Sequence, residues 1–413
     1  MTPPDPADRG AGGAGASERP SLLRRASAPL AAAVRGDGGK IASLQYARAL
    51  AAVLVVLTHT LYEAEKLAPA GTAAGDAVRT VRRTVPFGAG VDVFFVISGF
   101  VMAYVSAGRL TQPGYPREYL RARLTRVAPP YWFYTTLMAL ALLAAPGAAD
   151  SAALSARTAA YSYLFFPGWE EVVRPLLSLG WTLNYEVFFY LLFFAALYLL
   201  RGRAVGGTLV ALGALAGGWY AARAGGVELP GCVRFWCAPI ILEFGFGAAV
   251  AALYLRGVRV PAGAAWALGA AACGAVALAH PYRTDATRAW LFGVPAAALV
   301  AALTLARPAQ SAADGLTRRG PAAAGLGLLG AASYTLYLAH PFVITAVYLA
   351  WVKFGLVEAI GPAGAWAYVA AAAAAAAAYS VVGYVYLELP LVRLAKRCWP
   401  GPARVPPPSR RQR

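Results

Sequence analysis

Between residues 42 and 387 the chain is a succession of apolar blocks, each roughly 18 to 28 residues long and separated by short polar stretches. A hydrocarbon core about 30 Å thick takes about 20 apolar residues to cross as a helix, the form that satisfies every backbone N–H and C=O within one segment. The blocks run over 42–62, 87–107, 128–146, 180–200, 205–223, 236–256, 262–280, 288–306, 325–352 and 363–387. Of the 413 residues, 59% are hydrophobic and 14% charged, too little polar surface to cover a soluble body of this size. The pattern predicts an all-α, polytopic integral membrane protein with about ten transmembrane helices. An even number of spans puts both termini on one side.

The net charge of +18 is spread between the blocks and at both ends. With both termini in the cytoplasm, 25 Lys and Arg lie in inner segments and 11 in outer loops, the bias that orients membrane proteins. No basic module with interleaved aromatics appears, which excludes nucleic acid as a partner and leaves the lipid bilayer. Four cysteines without a CxxC pair make no metal framework, so no metal site is expected. Cys232 and Cys237 share an outer loop; two unpaired thiols is the favoured reading over a disulfide.

Residues 1–40 read as a disordered basic cytoplasmic tail and not a cleaved signal, residues 41–397 as the transmembrane domain, and 398–413 as a second basic tail, with no soluble domain appended. The run Ala370–Ala378 suits close helix packing. The longest outer loop, about 147–179, is expected either to cover an external pocket or to hold an interfacial half-helix.

The first block, IASLQYARALAAVLVVLTHTL, carries Arg48 near one end and His59 near the other. Eleven residues at 100° bring the two side chains to within about 20° of one helix face, about 16 Å apart along the axis. A cation in a spanning helix costs about 2.5–3.5 kcal/mol, so this face is polar for a reason. Asp92 lies in GVDVFFVISGF with Gly99 on the same face, and Glu186 lies in LGWTLNYEVFFYLLFF with Tyr190 one turn on and Trp181 at the outer interface. Each buried carboxylate must be neutral, paired or facing water. Glu243 is expected to pair with a neighbouring helix and Glu388 with nearby basic residues. Arg121, Arg123 and Arg126 crowd the first inner loop, YLRARLTRVAPPYW. Arg121 and Arg123 diverge by about 200°, which plain anchoring does not need and a clamp around phosphate can use. In SYTLYLAHP, Ser333, Tyr337 and His340 form one polar stripe, with Pro341 freeing a carbonyl near Tyr337.

Taken in order, these segments resemble the acyltransferase-3 family of integral-membrane acyltransferases, most closely its exopolysaccharide-production members through GWTLNYEVFFYLL. The likeness runs from about Ser43 to Arg397. It implies an acyl-CoA donor, acetyl-CoA by default, reached from the cytoplasm, and no bound cofactor. It also implies an acceptor hydroxyl on an extracytoplasmic glycan, in the inner membrane of a bacterium, with polysaccharide-assembly proteins as partners. The family's essential Arg and His carry over to Arg48 and His59, its paired arginines to Arg121 and Arg123, and its glutamate to Glu186. Thr182 stands in place of the family's Ser, and Val187 where many members have a second acid. In the implied reaction His59 is the general base, Asp92 or Glu186 orients its ring, and Arg121 and Arg123 with Arg48 hold the phosphates. Trp181, Tyr185 and His340 are the candidates for holding the acceptor. A glycosylated small molecule such as a macrolide is the alternative acceptor. A proton-coupled transporter is the rival of another class, though no matching Gly- or Pro-broken spans recur in two halves; a purely structural partner of a polysaccharide synthesis complex is the third.

The orientation is directly testable. Green fluorescent protein fused after Arg413 is expected to fluoresce, and alkaline phosphatase fused after Trp169 to be active; the opposite pattern contradicts cytoplasmic termini.

Overall fold

The computed structural model describes residues 42–68, 71–145, 154–307 and 320–401; both basic tails fall largely outside these. The described chain is helical throughout, with one isolated bridge between Val260 and Ala306. In chain order the helices are α1 (Ala42–Leu67), α2 (Ala73–Thr84), α3 (Gly90–Ser106), α4 (Tyr115–Ala144), α5 (Ala156–Tyr163) and α6 (Gly180–Leu200). There follow α7 (Ala204–Ala224), α8 (Gly231–Trp236), α9 (Leu242–Leu255), α10 (Ala262–Ala279) and α11 (Val294–Leu305). The C-terminal part holds α12 (Pro321–Ala331), α13 (Ser333–Lys353), α14 (Leu356–Ile360), α15 (Gly364–Gly383) and α16 (Leu389–Cys398).

Among the described residues seven helical stretches are long and apolar enough to cross a membrane, and one of them, Gly180–Ala224, folds back on itself as α6 and α7. The reversal falls at Arg201, whose positive φ of 47° departs from the helical conformation and ends α6. Shorter apolar helices over Pro239–Leu255, Ala289–Leu305 and Ala322–Ala331 complete the set. Apolar side chains such as Trp266 and Leu278 stand outward, as a lipid-facing surface demands. The chain is an all-α polytopic membrane protein. One block departs from its sequence reading: 325–352 is two helices, α12 and α13, broken at Ala332, where small residues offer little resistance to a bend.

Small residues set the packing at the centre. A Cβ on Gly99 would lie 2.0 Å from the carbonyl oxygen of Phe244, and one on Gly247 1.9 Å from that of Val96, so α3 and α9 touch backbone to backbone. Gly90 approaches the Ala51 carbonyl and Gly330 that of Gln45 in the same way, which lodges α1 between α3 and α12. Lipid tails are as apolar as the helices, so association of this kind rests on close van der Waals contact and favours glycine and alanine. The alanine run does what its composition suggests: Ala372 and Ala376 of α15 share an apolar cluster with Ala52 and Val56 of α1.

The described part of the loop before α6, residues 154–179, carries a helix and a piece of cavity wall. The helix is the short α5, and residues 172–175 form the piece of wall, against α1. Cys232 and Cys237 are both free thiols.

Filling the α3–α9 contact should therefore be costly. Gly247→Val is expected to destabilise the protein by about 1–3 kcal/mol or more, read as a lower thermal midpoint in detergent. Gly206→Val, which meets nothing within 4 Å, is expected to change it little.

Candidate active site

Arg48 and His59 of α1 both open onto cavities, and the cavities are different ones. Arg48 faces one bounded also by Ser98, Arg123, Arg126, Glu186 and Tyr190, about 830 Å³ counting its open mouth. His59 faces a second, about 1130 Å³ counted in the same way, formed with Thr58, Arg174, Ser178, Trp181 and Asn184. Val91 and Tyr337 belong to both linings. The two spaces thus meet at a shared wall, with arginines at one end and an imidazole at the other.

At the arginine end, Arg48 donates from Nη2 to Ser333 Oγ at 3.0 Å. Ser333 is the first residue of α13, so the break at Ala332 delivers that hydroxyl. Glu186 accepts from the Tyr190 hydroxyl on its own helix and from Ser98 Oγ at 3.4 Å. Arg123 lies over the Tyr119 ring, 5.7 Å from its centroid, and turns into the cavity. Arg121 does not: its Nη1 donates to the Trp399 carbonyl at 2.9 Å, beyond the end of α16. The expected clamp of Arg121 with Arg123 is therefore not formed around this cavity: Arg123 lines it, while Arg121, about 200° away on α4, is taken up by the Trp399 carbonyl. The partner Arg123 acquires is Arg126, three residues on and on the same face.

At the other end, His59 Nδ1 lies 2.9 Å from the carbonyl oxygen of Val55, one turn back on α1. A carbonyl only accepts, so Nδ1 carries the proton and Nε2 presents a lone pair. The expectation that Asp92 or Glu186 orients this ring is corrected: a backbone carbonyl holds it. The His340 ring stands 4.7 Å from that of His59, centroid to centroid, and is fully buried. Its Nδ1 donates to the Leu336 carbonyl at 3.2 Å, one residue short of the carbonyl Pro341 leaves free, and its Nε2 has no partner among the described residues. Tyr337 sits where the cavities meet, its hydroxyl 2.7 Å from Thr182 Oγ1 and 3.1 Å from the Leu179 carbonyl. The Thr182 hydroxyl thus makes the contact a serine there would offer. Trp181 borders the His59 cavity; Tyr185 stacks on Phe235 at 4.0 Å and faces a neighbouring space.

Asp92 is fully buried and held by Arg288 in a fork, Nε to Oδ1 at 2.8 Å and Nη2 to Oδ2 at 3.2 Å. Glu243, also fully buried, lies beside the Asp92–Arg288 fork and interacts with both groups. Glu388 accepts from Thr335 Oγ1 at 2.5 Å, where an ion pair was expected. Arg288 immediately precedes one π-helical turn, Ala289–Gly293, and Glu388 is the last residue of another, Tyr384–Glu388, a widened turn often found at functional sites. No cluster of three His, Cys, Asp or Glu suited to a metal occurs among the described residues.

The acyltransferase-3 model, described as an acyltransferase domain, matches residues 41–385. The chain belongs to the acyltransferase-3 family. It is similar to the exopolysaccharide production protein ExoZ of Rhizobium meliloti (strain 1021), 33% identical over 315 residues that cover 74% of this chain and 89% of the relative. No solved structure matches. As an acyltransferase-3 protein it is a membrane acyltransferase, and the matched region contains the two cavities and the residues named around them.

Sequence reasoning missed Arg288, whose partner Asp92 is 196 residues away, and Ser98. Arg126 carried a readable signal, its spacing of three from Arg123. If the Asp92–Arg288 fork is structural, Asp92→Ala is expected to cost about 3–5 kcal/mol by stranding a buried cation. Thermal unfolding of this acyltransferase-3 protein in detergent checks it, and an unchanged midpoint would remove Asp92 from the scaffold.

Proposed function

We propose that the protein transfers an acyl group, acetyl by family likeness, from acyl-CoA to a hydroxyl of an extracytoplasmic glycan, an exopolysaccharide or its lipid-linked precursor. The observation that carries this reading is the shared wall: a cavity with three arginines abuts, through Val91 and Tyr337, a cavity presenting an imidazole lone pair. Arg48, Arg123 and Arg126 suit the phosphates of coenzyme A, since guanidinium forks match phosphate oxygens and keep their charge at any working pH. Those arginines face the cytoplasm in the orientation the positive-inside bias favours. The thioester then extends past Val91 and Tyr337 toward His59.

In the reaction, Nε2 of His59 takes the proton of the acceptor hydroxyl as that oxygen attacks the thioester carbonyl. The tetrahedral adduct collapses with cleavage of the C–S bond, and the imidazolium returns its proton to the departing thiolate. The products are the ester and free coenzyme A. General-base catalysis of this kind contributes about 10²–10⁴-fold. The Val55 carbonyl fixes the tautomer the step needs. The relative's name, an exopolysaccharide production protein, supports a glycan over a glycosylated small molecule as acceptor.

Transfer of labelled acetyl from acetyl-CoA to glycan in inverted vesicles tests the reading. His59→Ala is expected to lower kcat by about 10²-fold or more with KM for acetyl-CoA nearly unchanged. Arg123→Ala with Arg126→Ala is expected to raise that KM at least about tenfold, and Arg121→Ala to leave it near the unmodified value. Equal effects of Arg121 and Arg123 would refute the cavity assignment, and label transfer without His59 would refute the base.

A further inference from the structure

A third cavity opens beside that of His59 and shares Val172, Trp181 and Phe235 with it. It holds about 1280 Å³ counting its mouth, and its polar wall is made by Arg223, Arg234, Arg288 and Asp285. The mechanism above uses none of these side chains. Their charges are not equivalent. Arg288 is neutralised by Asp92, whereas Arg223 and Arg234 make no ion pair among the described residues. Arg223 lies over the Trp219 ring, 5.7 Å from its centroid, and Arg288 over Trp181 at 5.4 Å. The space therefore combines two tryptophans, two uncompensated cations and one carboxylate.

We propose, resting on the glycan reading above, that this cavity is a subsite for an anionic sugar residue of the acceptor, next to the residue that is acylated. The C–H-rich face of a pyranose packs flat against an indole by dispersion, and an aromatic wall provides that flat partner. Asp285 accepts from sugar hydroxyls. A carboxylate or phosphate on the ring meets Arg223 and Arg234, whose planar donors bind either anion in a fork. Because Trp181 belongs to both cavities, a sugar seated in the third holds its neighbour in the chain over His59. The subsite therefore selects which hydroxyl reacts, and it favours acidic glycans over neutral ones.

The test is direct binding to the full-length protein in lipid nanodiscs, which does not depend on turnover. The probes are a glucuronate-bearing disaccharide, the neutral disaccharide of the same linkage, and glucose 6-phosphate. The uronate or the phosphate is expected to bind at least about tenfold more tightly than the neutral sugar, and which of them wins names the anion. Arg223→Gln with Arg234→Gln is expected to abolish the difference; both side chains are exposed, so the fold survives their loss. Equal binding of all three probes, or an anion preference that persists in the double variant, overturns the subsite. Acetyl transfer measured on the same samples separates the two claims. Anion-selective binding without transfer to any glycan would leave the subsite and remove the acyl-transfer reading, and transfer to glycan without anion selectivity would do the reverse.

Discussion

A charge inside hydrocarbon has to find its partner within the protein, and that requirement organises this bundle. α1 brings an arginine and a histidine into the apolar layer on one face, and the neighbouring elements are shaped to meet them. The break between α12 and α13 delivers Ser333 to Arg48. The carbonyl of Val55 answers His59 from within α1 itself. Close glycine contacts at Ala51 and Gln45 seat α1 against its neighbours, with Arg48 and His59 turned into cavities. Elsewhere the same demand is met by Arg288 for Asp92 and by Thr335 for Glu388. Ionisable groups at this depth are costly enough that each marks either a scaffold pair or a working site.

The division of α1 between two cavities gives the proposed reaction its logic. A coenzyme carrying several phosphates and a polar glycan approach from opposite ends, and neither has to cross the apolar layer. Only the acyl group passes the wall formed by Val91 and Tyr337. Tyr337 is pinned by Thr182 and the Leu179 carbonyl, so that wall is anchored to α6, the helix that also supplies Glu186 and Trp181. The loop over residues 172–175 lines the cavity at the His59 end.

Much of this was legible in the sequence, for physical reasons. Hydrocarbon thickness fixes block length, so the spans could be read, and a helical period of 100° put Arg48 and His59 on one face before any coordinates. The same arithmetic shows that Arg121 and Arg123 diverge, and applied one step further it selects Arg126. Other features had no such signature. The pairing of Asp92 with Arg288 joins segments 196 residues apart, and nothing local to either announces the other. The approach of His340 to His59 depends on how α13 packs on α1. The break at Ala332 falls in a run of small residues that tolerates a straight helix equally well.

The central claim is that donor and acceptor cavities meet at the His59 side of Val91 and Tyr337. Electron cryo-microscopy of the full-length protein in nanodiscs with a non-hydrolysable acetyl-CoA analogue tests it most directly. The account predicts phosphate density at Arg48, Arg123 and Arg126, and the acyl carbonyl within reach of His59 Nε2, about 3–3.5 Å from a bound hydroxyl. Phosphates held elsewhere, or an acyl group that stays at the arginine end with Tyr337 barring its way, would contradict it.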